Sequence, residues 1–211
     1  ASEEKSVLIA SCLKFIILFR SQLQSSQESI KPILNLIKPD VPKVLASYAS
    51  HCAALLLAVH PLVDPILPSV VENVLQTIMT TGDQNEYHMK LLFRLLVSVP
   101  SSPVLPKLIA LITTFSANPM NAAFTHYLFE CTAVCVAASN GQAVIPPLCQ
   151  LLEKNVSEYI PYAFQILALV LEKSSARIEV FAHLFPILLN EELWKNPSLG
   201  PALVRIVTAY L

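Results

Sequence analysis

Cys131 and Cys135 stand four residues apart in "FECTAVC", with His126 five positions upstream, so thiol and imidazole chemistry comes first into view. Structural zinc takes four ligands, usually through a CxxC knuckle, and the chain has no such knuckle. A nucleophilic cysteine needs a histidine beside it on a rigid turn, whereas these cysteines sit mid-helix among Ala, Leu and Val. The remaining thiols are Cys12, Cys52 and Cys149; five is an odd number and each lies in an apolar helical pattern, which suits reduced, buried side chains and implies no disulfide framework. No catalytic residue, metal ligand or cofactor site is assigned, and no acids, bases and nucleophiles converge as an enzyme would require.

Two polar patterns remain. His51, His88 and His126 each lie close to a tyrosine, which suits half-buried rings near a repeat interface, stacked and with one nitrogen bonded. Glu86, Lys90 and Arg94 recur once per helical turn, with Glu86 and Lys90 in the favourable i,i+4 order. Such a stripe is a solvated face unless the helix lines a surface where partners bind. On that condition Glu86, Lys90 and Arg94, together with Glu130, Gln165 and Arg205 on the corresponding later helices, are the candidate partner-binding residues. Trp194, the single tryptophan, reads as a plug at a helix junction.

The elements that position these residues follow from composition. Only 3 glycines occur in 211 residues, against 16 prolines, 54% apolar residues and 14% charged ones. So few glycines leave no phosphate cradle and few tight turns. The prolines belong at helix starts and linkers, because an interior proline loses a hydrogen bond and clashes with the turn before it. The expected fold is all-α. Fourteen Lys and Arg against 15 Asp and Glu leave a net charge of -1 with no basic stripe, which argues against a nucleic-acid partner. Membrane insertion is likewise not expected, since Lys14 breaks "VLIASCLKFIILF" and His60, Pro61, Asp64 and Pro65 break the greasy stretch after Cys52.

The pattern then repeats. "IKPILNLIK", "ILPSVVENVL", "VLPKLIALI", "VIPPLCQLL" and "FAHLFPILL" begin at 30, 66, 104, 144 and 181, hence 36, 38, 40 and 37 residues apart. Between them Tyr48, Tyr87, Tyr127 and Tyr162 align, each followed four residues on by Cys52, Leu91, Cys131 or Ile166 on the same helical face. A period just under forty marks stacked helical hairpins that hide their apolar faces only against each other. The expected architecture is a right-handed α-solenoid of about five HEAT-like hairpins, a single segment over residues 1–211. Its second helices would line the concave face. Gly82 and Gly141 are expected to close helices in left-handed conformation, Asp83 with Glu86 to form a relative of the capping box, and Ser198 to cap the last helix with Pro201 in its first turn. A first helix over Glu3 to Gln24 and an end at "TAYL", without polar capping helices, read as an internal fragment.

These units resemble one family. "NEYHMK", "FTHYLFE", "EYIPYAFQILALVLE", "LFPILL" followed by "LW", and "PALVRIVTAYL" occur in the order and at the intervals of the middle-to-late HEAT repeats of the CAS family of importin-alpha export receptors, within the importin-beta/karyopherin superfamily. "LKFIILFR" at 13–20 and "YASHCA" at 48–53 resemble the repeats before them. The resemblance implies a receptor that coils around Ran-GTP and importin-alpha in the nucleus and releases its cargo in the cytoplasm when Ran hydrolyses GTP. It would shuttle through the nuclear pore as a scaffold without catalytic chemistry, and this segment alone would bind weakly. The alternative is a HEAT-repeat structural scaffold, in another karyopherin or of the phosphatase type. The resemblance transfers no individual contact residue.

Overall fold

Proline and asparagine punctuate the chain into helices. The computed structural model describes residues 3–22, 27–59, 66–99, 102–139, 141–174 and 179–211, and among these it has twelve α-helices, two 3-10 turns and no strand. His60, Pro61, Asp64, Pro65 and the expected helix end at Gln24 lie outside the described residues. Two compact units, Ala1–Pro100 and Ser101–Leu211, divide the chain.

The first unit contains α1 (Glu3–Leu18), α2 (Gln27–Leu34), α3 (Lys43–Val59), α4 (Leu67–Thr81) and α5 (Glu86–Ser98). Helices α2 and α3 form one hairpin and α4 and α5 the next, while α3 packs between α1 and α5. The second unit contains α6 (Leu105–Phe115), α7 (Ala122–Ala137), α8 (Ile145–Glu153), α9 (Ile160–Lys173), α10 (Glu179–Leu188), the single turn α11 (Glu191–Trp194) and α12 (Gly200–Tyr210). Here α6 pairs with α7 and α8 with α9, and α9 lies between α7 and α12. Phe181 and Phe185 of α10 pack edge-on against Tyr210 of α12. The first helices of the hairpins thus begin at 27, 67, 105, 145 and 179, close to the expected 30, 66, 104, 144 and 181.

Pro68, Pro106, Pro146, Pro161 and Pro201 occupy first turns, where the missing N–H removes no helical bond. Pro32 and Pro186 do not follow the expectation, since both lie inside helices. Each helix ends two residues later and winds down through i→i−3 bonds, Leu36 N–H to Ile33 and Asn190 N–H to Ile187. The lost bond and the ring clash therefore fall in the final turn, where they disturb least. Helix α1 stops at Leu18, shorter than expected, and residues 19–22 form a turn.

Gly82 caps α4 at φ 63°, its N–H reaching Ile78 O. Gly141 is also left-handed, at φ 65°, and opens the 3-10 turn at Gln142–Val144. A Cβ there would stand 2.7 Å from Val136 Cγ1, so the position excludes side chains twice over. The capping-box expectation is corrected: Asn85, two positions after Asp83, caps α5, accepting from Tyr87 N–H at 3.0 Å. Asp83 instead pairs with Lys43 at 2.8 Å. Ser198 does not cap α12; its N–H and hydroxyl both donate to Asn196 Oδ1, one turn too early to reach the helix. Asn121 caps α7 through Phe124 N–H, as the repeat leads one to expect.

The residues four beyond the aligned tyrosines do form the core. Cys52, Leu91 and Cys131 are wholly buried and Ile166 nearly so. In the first unit α3 contributes the small buried residues Ala46, Ala49 and Ala53, and α5, packed on it, the buried Leu91, Leu92 and Leu95. In the second, Phe124, Leu128 and Phe129 of α7 and Phe164 and Leu167 of α9 are all buried, Phe124 edge-on to Phe115 of α6. Among the described residues no helix is long and apolar enough to cross a membrane.

Candidate partner-binding surface

Three second helices of the second unit run side by side and contribute to a shared groove, α7 and α9 most of its lining and α12 Arg205 alone. Glu130 from α7, Gln165 from α9 and Arg205 from α12 all line it, in a volume of about 340 Å³. Every lining residue belongs to these three helices and none to α6, α8 or α10. The helical repeat explains the convergence: positions that match between successive hairpins stack side by side in space.

The floor is apolar, with Ala133, Val134, Ile166 and Leu169. At one end Phe129 and Tyr162 stack almost parallel, centroids 4.9 Å apart and planes 10° apart. Glu130 stands beside this stack and carries no salt bridge among the described residues. Burial, and then the charge of Glu130, push the Tyr162 hydroxyl above its usual range, so it remains a neutral donor. At the other end Arg205 forks onto Glu172 of α9, Nε to Oε1 and Nη2 to Oε2 both at 2.9 Å. That hydrogen bonding holds the Glu172 carboxyl below its usual range, against the smaller opposing effect of burial. Glu172, outside the lining but bonded to Arg205, is a residue that sequence reasoning missed. Its separation from Arg205, 33 residues, falls short of the 36-to-40-residue period, so the repeat register did not mark it.

Glu86, Lys90 and Arg94 belong to the first unit. They fall on one face of α5, the first two half-buried and Arg94 exposed, its guanidinium 5.9 Å from the Phe93 ring centroid. Lys90 and Glu86 both act on His51 of α3, whose ring packs on Tyr87 at 4.9 Å. Burial lowers the His51 pKa, Lys90 and Arg20 lower it further, and Glu86 opposes them. His51 Nδ1 is buried without a hydrogen-bond partner. His88 does have one: Nδ1 lies 2.7 Å from Ser50 Oγ in a buried pair, and burial lowers its pKa to about 4. His126 is exposed rather than half-buried, against Tyr127 and 6.1 Å from the Tyr162 ring.

Cys131 and Cys135 are fully buried thiols, and burial holds Cys131 well above its ordinary pKa, the opposite of what a nucleophile needs. Among the described residues no cluster of three metal-ligating side chains occurs. Trp194 is a partial plug: its Nε1–H ties α11 to Leu188 O at 2.7 Å while the ring stays 44% exposed. The first unit has a larger groove, about 660 Å³, where Val7 and Ala10 of α1 face Val44 and Tyr48 of α3. None of the candidate residues lines it.

A family profile described as "CAS/CSE protein, C-terminus" matches residues 48–211. Exportin-2 of Pagrus major is 31% identical over 238 residues, and Exportin-2 of Homo sapiens 30% over 242, each alignment covering 99% of this chain and 24% of the relative. The chain thus spans about a quarter of the length of the curated relatives it matches. Among solved structures, "The exportin Cse1 in its cargo-free, cytoplasmic state" aligns with a TM-score of 0.82 at 25% identity, covering 97% of this chain and 23% of its own.

Proposed function

From the premise that this chain belongs to the CAS/CSE protein family, we propose that it is a scaffold segment of a nuclear export receptor, one that carries importin-alpha back to the cytoplasm in complex with Ran-GTP. The single observation behind this reading is the family match across residues 48–211. In this reading residues 1–211 form one continuous stretch of HEAT hairpins within a longer solenoid, and the receptor shuttles through the nuclear pore. It works by presenting surface rather than by catalysis. The groove of Glu130, Gln165 and Arg205 and the stripe of Glu86, Lys90 and Arg94 are its contact surfaces for protein partners. What supports them is position: both lie on second helices and offer charge beside apolar ground.

The test is a pulldown with the full-length parent, importin-alpha, and Ran locked in either nucleotide state. A ternary complex with Ran-GTP, absent with Ran-GDP, is the expected result. Binding of partners regardless of nucleotide would instead identify a structural HEAT scaffold. The 211-residue segment alone is expected to hold importin-alpha weakly or not at all, because wrapping a partner needs contacts along the whole solenoid.

A further inference from the structure

The groove across α7, α9 and α12 has an uneven charge count. Glu130 and Arg205 line it, and Arg205 is committed through both of its forked bonds to a second carboxylate, Glu172, which lies outside the lining. Glu130 is left as a carboxylate without an ion pair, half-buried, at the edge of an aromatic stack. A carboxylate in this setting is partly stripped of water, and a ring face beside it is itself attractive to cations. The two features select the same kind of visitor.

We infer that this groove receives an arginine side chain from a segment of a partner protein, its guanidinium forked onto Glu130 and resting against the Tyr162 ring. Arginine fits better than lysine on three counts. Its planar fork matches a carboxylate through two parallel hydrogen bonds, its face stacks on an aromatic ring, and it is more weakly hydrated. One such pair, Arg205 on Glu172, already stands where Arg205 lines the groove. The apolar floor of Ala133, Ile166 and Leu169 then accepts the methylene stem and the neighbouring residues of the segment. Gln165, between the two ends, offers both a donor and an acceptor to the segment's backbone.

This inference rests on the reading of the groove as a partner-contact surface, but its test is separate from the ternary-complex test. The 211-residue chain, labelled with nitrogen-15, is titrated with a capped Gly-Ala-Arg-Ala-Gly peptide at millimolar concentration while amide shifts are followed. Two control peptides carry citrulline or lysine in place of arginine. Citrulline keeps the shape and removes the charge. The expected result is a set of shifts confined to α7 and α9 around Glu130 and Tyr162, much reduced with citrulline and intermediate with lysine. Glu130→Gln should lower the apparent affinity about tenfold, as expected for loss of one charge-assisted contact. Glu130→Asp should restore part of it, and Tyr162→Leu should weaken binding with the melting curve still cooperative. Glu153→Gln, the same charge change on α8, should have no effect.

Equal shifts with the citrulline peptide, unchanged affinity in a folded Glu130→Gln variant, or no shifts in α7 and α9 would each overturn the inference. A full-length parent that forms the Ran-GTP complex while the peptide fails would sink the arginine site alone. The reverse outcome would sink the receptor reading and leave the site standing.

Discussion

The seam between α3 and α5 and the seam between α7 and α9 each join the second helices of two adjacent hairpins, yet they are built from different chemistry. In the first, Asn85 Nδ2 donates to Ser47 Oγ at 2.6 Å and Ser50 meets His88 at 2.7 Å, each pair 38 residues apart, with Lys43 and Asp83 outside them. Small residues are buried on α3 here: Ala46, Ala49 and Ala53. In the second, Phe129 packs edge-on against Tyr159 and face-on against Tyr162. Its polar link lies at the end, where Lys173 Nζ donates to Ala137 O. The difference teaches how one repeat tolerates two solutions. Directional pairs fix which residue meets which, at about 1 kcal/mol net each. Rings bury 150–250 Å² apiece, about 4–6 kcal/mol of transfer free energy, but are less particular about register.

Both seams nevertheless depend on the leucines beneath them, and this supplies the most severe test. Leu91 and Leu167 are fully buried, one under each seam. Leu91→Asp and Leu167→Asp each bury a charge without a partner, and each should cost more than about 4 kcal/mol. Circular dichroism through a guanidinium titration should show loss of the cooperative transition in both variants. A variant that kept its helicity and midpoint would place that leucine on the wrong face.

Acid should separate the seams. The His88 pKa is lowered by burial to about 4, from 6.5 when unfolded. The unfolded chain therefore binds a proton more readily between those values, and the stability tied to neutral His88 is complete above pH 6.5. It drains away as pH falls to about 4, by roughly 3 kcal/mol in all. His51, also lowered by burial and by Lys90, adds loss of the same sign. The second seam contains no buried histidine among the described residues. Hydrogen exchange at pH 7 and pH 5 should show α3 and α5 losing protection well before α7 and α9. Parallel loss in both units would mean that His88 does not control the first seam.

How much of this was legible in the chain depends on the kind of signal. The hairpins follow from a spacing of 36 to 40 residues, and the buried row of Cys52, Leu91, Cys131 and Ile166 from a tyrosine register one turn away. Periodicity survives because every helix must present one face to its neighbour. Local stops were less legible. Pro32 and Pro186 are tolerated inside helices because those helices end within two residues, and Asn196 rather than Ser198 takes the polar contacts before α12. Of the candidate contact residues, Glu130, Gln165 and Arg205 share a groove because they lie on neighbouring second helices. Glu172, which engages Arg205, stands 33 residues before it, outside the 36-to-40 period, so the repeat register did not mark it.

The smallest effect is the most discriminating between the seams. Ser50→Ala leaves His88 Nδ1 buried beside a methyl group and should cost about 1–3 kcal/mol, because an orphaned polar atom keeps its desolvation penalty. The corresponding atoms across α7 and α9 are already orphans: Tyr159 Oη and Thr125 Oγ1 are both buried without a hydrogen-bond partner. Thr125 stands close enough to favour the charged phenolate slightly, but burial outweighs it and raises the Tyr159 pKa. Tyr159→Phe removes a hydroxyl that makes no bond and keeps the ring against Phe129, so it should leave stability within about 0.5 kcal/mol or raise it. Paired urea titrations of the two variants compare the seams directly. A cost of about 1 kcal/mol or more for Tyr159→Phe would mean that its hydroxyl bonds Thr125 in solution. The second seam would then be directional as well, and the contrast with the first would shrink to the size of its rings.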